Sequence, residues 1–213
     1  MIVPKMNERE LLVEIRKDYV GVKRKIEYLA HSLRRETLKS KDKRCTKVFE
    51  YTSNHKNKWL IFIDNYKKFH EYKSVVYYLD DSGFNAILIG NDENSFIHYS
   101  SHFLERYNQR YLMQSNISKL DLLKRFISIN YKYSIQYTSD TRYHQNQFFS
   151  ILKEGVGLGY AVEIENSIIS RFRTFITDEM VLEYQRPTYE QARMNYNSYL
   201  LKPNEIRRWC MSA

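Results

Sequence analysis

The spacing of apolar residues along the chain changes near Thr46, which divides the sequence into two kinds of predicted structure. Over residues 7–38, apolar side chains recur at three- and four-residue steps, a pattern that predicts an amphipathic helix. The positions of this stripe are Leu11, Leu12, Ile15, Tyr19, Val22, Ile26, Leu29 and Leu33. Lysine and arginine residues occupy the opposite side of this helix. Because glycine disfavours helix, Gly21 allows two alternatives: a single helix that is weakened or kinked there, or two helices that are broken there.

Segments rich in β-branched and aromatic residues follow, separated by polar turns, and predict an antiparallel sheet of four to five strands. Four of them cover residues 47–52, 58–64, 73–79 and 85–90, and residues 95–99 form a candidate fifth strand. The clearest hairpin signal is Asp80-Asp-Ser-Gly83, because glycine takes the positive φ angles that tight turns need.

The second half of the chain predicts helices, a β-hairpin and closing helices. Ser100 or Ser101 can cap the first helix and Ser118 the second, because a serine oxygen accepts a free backbone N–H of the first turn. The predicted elements are helices over residues 100–111, 119–133 and 146–153, strands over 158–164 and 168–176, and helices from Thr177 and over 187–209. We therefore expect an α+β fold in which a basic helical segment, residues 1–44, forms one unit with an α+β domain, residues 45–213.

The glycine cluster Gly155-Val-Gly-Leu-Gly159 allows two interpretations. A phosphate-binding loop is also rich in glycine, but here a strand is predicted next, so no helix N-terminus would meet a phosphate. A turn that leads into the β-hairpin is the interpretation that we favour.

Basic residues are concentrated in the N-terminal segment. The chain of 213 residues has a net charge of +9. The segment from Arg16 to Arg44 contains eleven Lys and Arg residues and only four acidic residues. Such a segment favours a polyanion, nucleic acid first, with RNA preferred over DNA, and an acidic membrane surface or an acidic protein partner or inhibitor second. The alternative is a solvated helix face that serves only solubility.

Several classes of protein are not indicated. Cys45 and Cys210 form neither a metal-ligand spacing nor a disulfide framework, which fits a reducing cytoplasm. No signal peptide and no membrane-spanning window are predicted, so we expect no membrane partner. The motifs HExxH, CxxC and G-x-S-x-G are absent, and we expect neither a metal nor a cofactor.

A histidine and two arginines share one side of the predicted helix over residues 100–111. His102, Arg106 and Arg110 fall at i, i+4 and i+8, so they line one face over about 12 Å. Imidazole can act as an acid or a base near neutral pH, and the planar guanidinium suits phosphate, which favours metal-independent cleavage of RNA. The alternative is an ordinary solvated helix face.

The strand over residues 168–176 offers this helix a partner. In a strand, Arg171 and Arg173 share one face while Phe172 and Thr174 share the other. If the arginine face lies beside the helix, His102 meets Arg173 across a cationic cleft. The candidate catalytic residues are His102, Arg106, Arg110, Arg173 and Thr174, and the candidate nucleic-acid-binding residues are Lys23, Arg24, Lys25, Arg34, Arg35, Tyr107 and Arg171.

Two other histidines are weaker candidates for this chemistry. His98 precedes the helix and can alternate into the core of the sheet. His144 stands in a polar loop beside Arg142 and Tyr143.

The predicted elements are a helix with the pattern His-x-x-x-Arg-x-x-x-Arg, then helical material, then a β-hairpin that ends in Arg-x-Arg-Thr-Phe. This order of elements and motifs resembles the RelE/barnase/EndoU/colicin-type superfamily of small RNases. The resemblance covers about residues 97–180. It implies RNA cleavage without a metal, of the toxin or defence type, by histidine, arginine and hydroxyl side chains. The N-terminal helix and the first sheet lie outside it.

These patterns predict an RNA-binding protein with metal-independent endoribonuclease activity. The alternative is a non-enzymatic nucleic-acid- or protein-binding module from a phage or mobile element, and a third class is a protein inhibitor or scaffold. Under the first hypothesis His102→Ala abolishes cleavage and keeps RNA affinity, whereas a binding module cleaves nothing.

Overall fold

A nine-stranded sheet with helices on both faces forms the centre of the protein, so the predicted α+β class is confirmed and the sheet is larger than predicted. The computed structural model describes residues 1–67, 69–90, 92–130, 132–137 and 146–201. The helices in these ranges are α1 (Glu8–Lys39), α2 (Ser101–Tyr107), α3 (Lys119–Ile129) and α4 (Arg186–Leu201). The strands are β1 (Arg44–Thr52), β2 (Lys58–Tyr66), β3 (His70–Asp80), β4 (Gly83–Ile89), β5 (Ser95–Tyr99), β6 (Ser134–Tyr137), β7 (Gln147–Leu152), β8 (Gly155–Ile164) and β9 (Ser167–Ile176).

Two antiparallel meanders make up the sheet, whose strand order is β1-β2-β3-β4-β5-β9-β8-β7-β6. The first meander, β1 to β5, is the one that the sequence predicts. The second, β6 to β9, joins it through a parallel pair of strands, in which Ser95 of β5 lies opposite Ile168 of β9 and Tyr99 opposite Phe172. Residues from both halves of the chain therefore become neighbours at the pair β5–β9.

Helix α1 is one continuous helix of 32 residues, so the alternative of two helices is wrong. Asn7 and Glu10 form a reciprocal capping box at its start, which satisfies two free backbone N–H groups. Gly21 has open space around it and does not interrupt the helix. The apolar stripe of α1 is buried against the first meander, including Trp59 and Phe96.

The two faces of the sheet carry different helices. One face, which we call the α1 face, packs against α1 through residues such as Ile87 and against α4 through residues such as Val156. The opposite face, the α2 face, packs against α2 and α3 through an aromatic cluster that includes Phe172 and Phe175. Side chains that alternate along one strand therefore meet different partners.

Two predicted helices are wrong. Residues 146–153 contain β7, in which Phe148 packs on the α2 face and Ile151 on the α1 face. Because both faces of this strand are covered, its apolar run lacks the two-residue alternation that distinguishes a half-buried strand from a helix. After Thr177 the chain forms only short 3₁₀ turns before α4 begins at Arg186. The predicted end of the closing helix, beyond Leu201, lies outside the described residues.

The predicted β8–β9 hairpin is confirmed, but the glycine cluster lies inside β8 and does not form the predicted turn before it. Gly155, Gly157 and Gly159 occupy alternate positions of β8, and aromatic rings of the α2 face lie where their side chains would be. Phe175 and Phe172 are those neighbours for the first two glycines. The glycines therefore make room for core rings, and they do not form a phosphate-binding loop.

Candidate functional site

A row of polar side chains crosses four neighbouring strands on the α1 face of the sheet. Its members come from β4, β5, β9 and β8, and two-residue alternation puts them on the same face as Phe96 and Ile169, which pack against α1. We call this row the polar strip; its residues are Asn85, His98, Arg171, Tyr160 and Arg173. It runs from a buried end at Asn85 to an exposed end at Arg173.

Two guanidinium groups lie over one tyrosine ring in the polar strip. The guanidinium carbons of Arg171 and Arg173 are 5.9 Å and 5.5 Å from the centre of the Tyr160 ring. Arg171 also donates to the Tyr160 hydroxyl over 3.3 Å. Cation–π contacts of this kind hold arginine side chains in place without neutralising them, so their charge remains available to an anion.

The charge of the strip is only partly balanced. Arg171 forms an ion pair with Glu8 of the first turn of α1, while its Nε atom is buried without a hydrogen-bond partner in the described part of the chain. Arg173 forms no ion pair with the residues that the structure describes. Burial, and then the nearby charge of Arg173, lowers the pKa of Arg171. An anion bound between the two arginines would relieve this repulsion.

His98 lies beside Arg171, because the two residues are partners in the parallel pair β5–β9. Its Nε2 atom is 3.0 Å from Oδ1 of Asn85. The Asn85 amide donates through Nδ2 to Asp80 and Ser82, which orients Oδ1 towards the imidazole as an acceptor. This network assigns the proton of a neutral His98 to Nε2 and leaves a lone pair on Nδ1.

The surroundings keep His98 in its neutral form. Burial lowers the pKa of His98 to about 4, although the carboxylate of Asp80 acts in the opposite direction. Within the described residues Nδ1 has no hydrogen-bond partner. At neutral pH this atom is therefore unprotonated and can accept a hydrogen bond from a ligand hydroxyl.

A β-bulge at Arg173 changes the alternation that the sequence predicts for β9. Leu158 of β8 lies opposite Thr174, and Gly159 lies opposite Phe172, so Arg173 is the extra residue between them. Arg171 and Arg173 share one face, as predicted, and both lie over the ring of Tyr160. The prediction that Phe172 and Thr174 share a face is wrong, because the bulge turns Thr174 to the side of Leu158.

The structure separates the predicted catalytic residues into three groups. His102 is exposed on α2, and its Nε2 atom lies 3.4 Å from Nε of Arg106. Arg110 reaches the edge of β9 beyond the end of β5, where it donates to the carbonyl of Phe175 over 2.5 Å and to Oγ1 of Thr174 over 3.4 Å. The third is Arg173 in the polar strip, beside Arg171, which the sequence predicts as a nucleic-acid-binding residue.

The expected cleft between His102 and Arg173 is not formed. Helix α2 packs on the α2 face, whereas Arg171 and Arg173 accompany Tyr160 on the α1 face. The sheet therefore lies between the apolar side of α2 and these arginines. The histidine that the structure places beside them is His98, which the sequence shows only as a member of a strand.

Tyr107 is not available to nucleic acid. It is buried, and its hydroxyl donates to Glu154 over 2.5 Å and accepts a hydrogen bond from Arg125. Arg125 and Asn130 also donate to the same carboxylate. Burial and the hydrogen bond to Glu154 raise the pKa of Tyr107, so the ring stays a neutral structural element between α2, α3 and the β7–β8 turn.

The predicted nucleic-acid-binding residues of α1 differ in whether their charged groups already contact another side chain. Lys23 forms an ion pair with Glu93 over 2.9 Å. The ammonium group of Lys25 lies 4.8 Å from the centre of the Tyr28 ring. The exposed residues Arg24, Arg34 and Arg35 have no acidic partner among the residues that the structure describes. His144, the remaining histidine candidate, lies outside the described residues.

Comparison with known proteins gives a clear result. No family model, curated protein or solved structure matches this chain. The resemblance to small RNases therefore stays a prediction, and function has to be inferred from the site itself.

Two features are absent from the described residues. None of the helices in this part of the chain is long and apolar enough to cross a bilayer. No group of three or more His, Cys, Asp or Glu side chains in the same ranges could hold a metal ion. Among the described residues, the polar strip puts His98 in register with Arg171 and on the same face as Arg173.

Proposed function

We propose that this chain binds RNA and cleaves it at the polar strip without a metal ion. The observation that carries the proposal is the neutral imidazole of His98 beside Arg171, whose guanidinium lies with that of Arg173 over the ring of Tyr160. Guanidinium groups suit a phosphate, and a tyrosine ring can stack on an unpaired base. Two fixed cations also make the strip unfavourable for a metal cation.

The reaction that fits these groups is attack by the ribose 2′-hydroxyl on the adjacent phosphate. Nδ1 of His98 accepts the 2′-hydroxyl proton, a bond forms between the 2′ oxygen and phosphorus, and the bond to the 5′ oxygen breaks. The leaving 5′ oxygen takes a proton from water, and the imidazolium returns its proton to solvent. The products are a 2′,3′-cyclic phosphate and a 5′-hydroxyl end, while Arg171 and Arg173 stabilise the developing negative charge.

The test is cleavage of a labelled single-stranded RNA in the presence of a chelator. His98→Gln keeps a donor for Asn85 but cannot take up the proton, so we expect cleavage to fall by about 10²- to 10⁴-fold. Arg173→Gln should reduce it by about 10²-fold or more. The matched control is His102→Ala, which removes an exposed histidine of α2 and should leave the rate near that of the unmodified protein.

Three results decide the matter. A 2′-deoxy nucleotide at the cleavage position should block the reaction, because the nucleophile is missing. Loss of cleavage in His102→Ala together with full activity in His98→Gln would show that the catalytic site lies on α2 and not at the polar strip. RNA that stays intact with and without Mg²⁺ would refute the nuclease proposal.

A second candidate function is a non-enzymatic nucleic-acid-binding module. The observation that favours it is the set of exposed, unpaired cations Arg24, Arg34 and Arg35 on α1. Such a module should bind RNA with strong salt dependence and leave it uncut. For either function we propose a reducing compartment such as the cytoplasm, where the free thiol of Cys45 persists.

A further inference from the structure

The side of α1 that faces solvent carries a straight line of cations. Lys17, Arg24 and Arg35 lie on the side opposite the buried stripe, with Tyr28 and His31 between the two arginines, and all five side chains are exposed. We call these five residues the α1 ridge. From the first to the last, the ridge is about 27 Å long at about 1.5 Å per residue.

The acidic residues of α1 do not neutralise the ridge, because most of them are engaged elsewhere. Glu8 pairs with Arg171, Glu14 with the N-terminal ammonium group and Glu36 with Lys47. Asp18 is buried and accepts hydrogen bonds from β1–β2 side chains. Among the described residues, none of the three cations of the ridge has an acidic partner.

The ridge leads towards the polar strip. Helix α1 begins at Glu8, and Glu8 contacts Arg171 of the strip. The polar strip therefore lies near the N-terminal end of α1, on its sheet side and about 14 Å along the axis from Lys17. The buried stripe fixes the helix on the sheet, so the spacing of the cations does not have to be organised when a ligand binds.

We propose that the α1 ridge binds the double-helical part of a structured RNA whose unpaired nucleotides enter the polar strip. This inference rests on the proposed function, and it defines the substrate as a duplex that adjoins a single strand. A duplex presents about 16 phosphates along 27 Å, at one charge per about 1.7 Å of axis, so a rigid line of cations meets phosphates along its whole length.

The chemistry of the ridge favours a duplex over a single strand. Single strands are bound largely by stacking of bases on successive aromatic rings, whereas the ridge has only two rings, His31 and Tyr28, and Lys25 lies over the second. A duplex is recognised through its backbone, which requires cations alone. The exposed Val13 and Val20 lie near the ridge, but lysine and arginine side chains extend well beyond a valine.

The test compares two probes that cannot be cleaved. One is an RNA hairpin whose loop and single-stranded tail are both made of 2′-deoxy nucleotides, and the other is the tail alone. Binding of each is measured by fluorescence anisotropy over a range of salt concentrations. The ridge variant is Lys17→Gln/Arg24→Gln/Arg35→Gln. The control variant, Lys58→Gln/Lys67→Gln/Lys153→Gln, removes the same charge from exposed lysines outside α1.

We expect the ridge variant to lose about tenfold or more in affinity for the hairpin at moderate salt. Its plot of log affinity against log salt concentration should be flatter by about 3, one unit for each lost phosphate contact. Affinity for the tail alone should change by less than about twofold, and the control variant should retain most of its hairpin affinity. Far-UV circular dichroism and urea unfolding confirm that both variants are folded.

Three outcomes would overturn the inference. The first is equal loss of hairpin affinity in the ridge and control variants, and the second is equal loss for hairpin and tail. The third is ridge-dependent binding of polyglutamate without binding of the hairpin, which would identify the occupant as an acidic protein. If ridge-dependent hairpin binding is found but a ribose tail is never cut, the cleavage proposal fails while the ridge stands.

Discussion

Replacing Asp18 with alanine should lower the free energy of unfolding by about 2–5 kcal/mol. Its carboxylate lies in the interface between α1 and the start of the sheet and is only 3% exposed. One of its oxygens accepts hydrogen bonds from Ser53 over 2.7 Å, from Asn57 over 2.9 Å and from the indole N–H of Trp59 over 2.8 Å.

The magnitude follows from the donors that alanine would leave behind. Trp59 is fully buried, so its N–H would have no other partner, and an unpaired buried donor costs about 1–3 kcal/mol. The side-chain donor Nδ2 of Asn57 would keep only its longer contact, 3.3 Å, with Glu14. The hydroxyl of Ser53 can rotate towards another acceptor, so its loss adds least. The total is a large part of the roughly 5–15 kcal/mol that stabilises a domain.

Urea unfolding followed by tryptophan fluorescence and circular dichroism measures this change. The midpoint should fall while the slope stays constant. Asp42→Ala, at an exposed position, should change stability by less than about 0.5 kcal/mol. In a Trp59→Phe background, Asp18→Ala should lower the free energy of unfolding by less, because the indole N–H that it would leave without a partner is already absent. A loss below about 1 kcal/mol for Asp18→Ala would contradict the assignment of this carboxylate as the acceptor that holds α1.

Three more predictions concern protonation and packing. Burial raises the pKa of Glu154, but hydrogen bonds from Arg125 and other donors outweigh burial and lower it below its ordinary value. The stabilisation by Glu154 is therefore complete above its ordinary pKa and is lost as the pH falls through its pKa in the folded protein. Glu154→Gln should flatten the curve of stability against pH in this acidic range, and an unchanged curve would contradict the prediction. His98 should give neutral imidazole signals in NMR spectra down to about pH 5, whereas a midpoint near 6.5 would disprove its desolvation. Gly157→Ala should cost about 1–3 kcal/mol because its methyl group meets Phe172, while Gly21→Ala, in open space on α1, should stabilise by about 0.5–1 kcal/mol; equal effects in thermal unfolding would refute the packing role of Gly157.

The sequence predicts correctly those elements that have one buried side and one solvent-exposed side. In α1 the apolar stripe, the cap at Asn7 and the polar side agree, and the first meander alternates in the same clear way. Strand β7 has both faces covered, so its apolar run has no distinctive period and is mistaken for a helix.

The candidate site was only partly predictable, because it depends on a pairing between strands that are distant in the sequence. The basic segment and the Arg171–Arg173 pair are visible as patterns. No local pattern shows that β5 pairs with β9, which brings His98 beside Arg171. The bulge at Arg173 is equally invisible, since it arises from the register between β8 and β9. The exposed His102 therefore looked like the better partner for the arginines.

The parallel pair β5–β9 also has a consequence for how the protein is made. Asn85 and His98 leave the ribosome long before Tyr160 and Arg171 are synthesised, so a nascent chain holds only half of the polar strip. Contacts between residues so far apart in sequence form late, since a long loop must close first. The strip is therefore complete only when the two meanders have joined, and separate fragments of either half should be inert until they are mixed and reassemble.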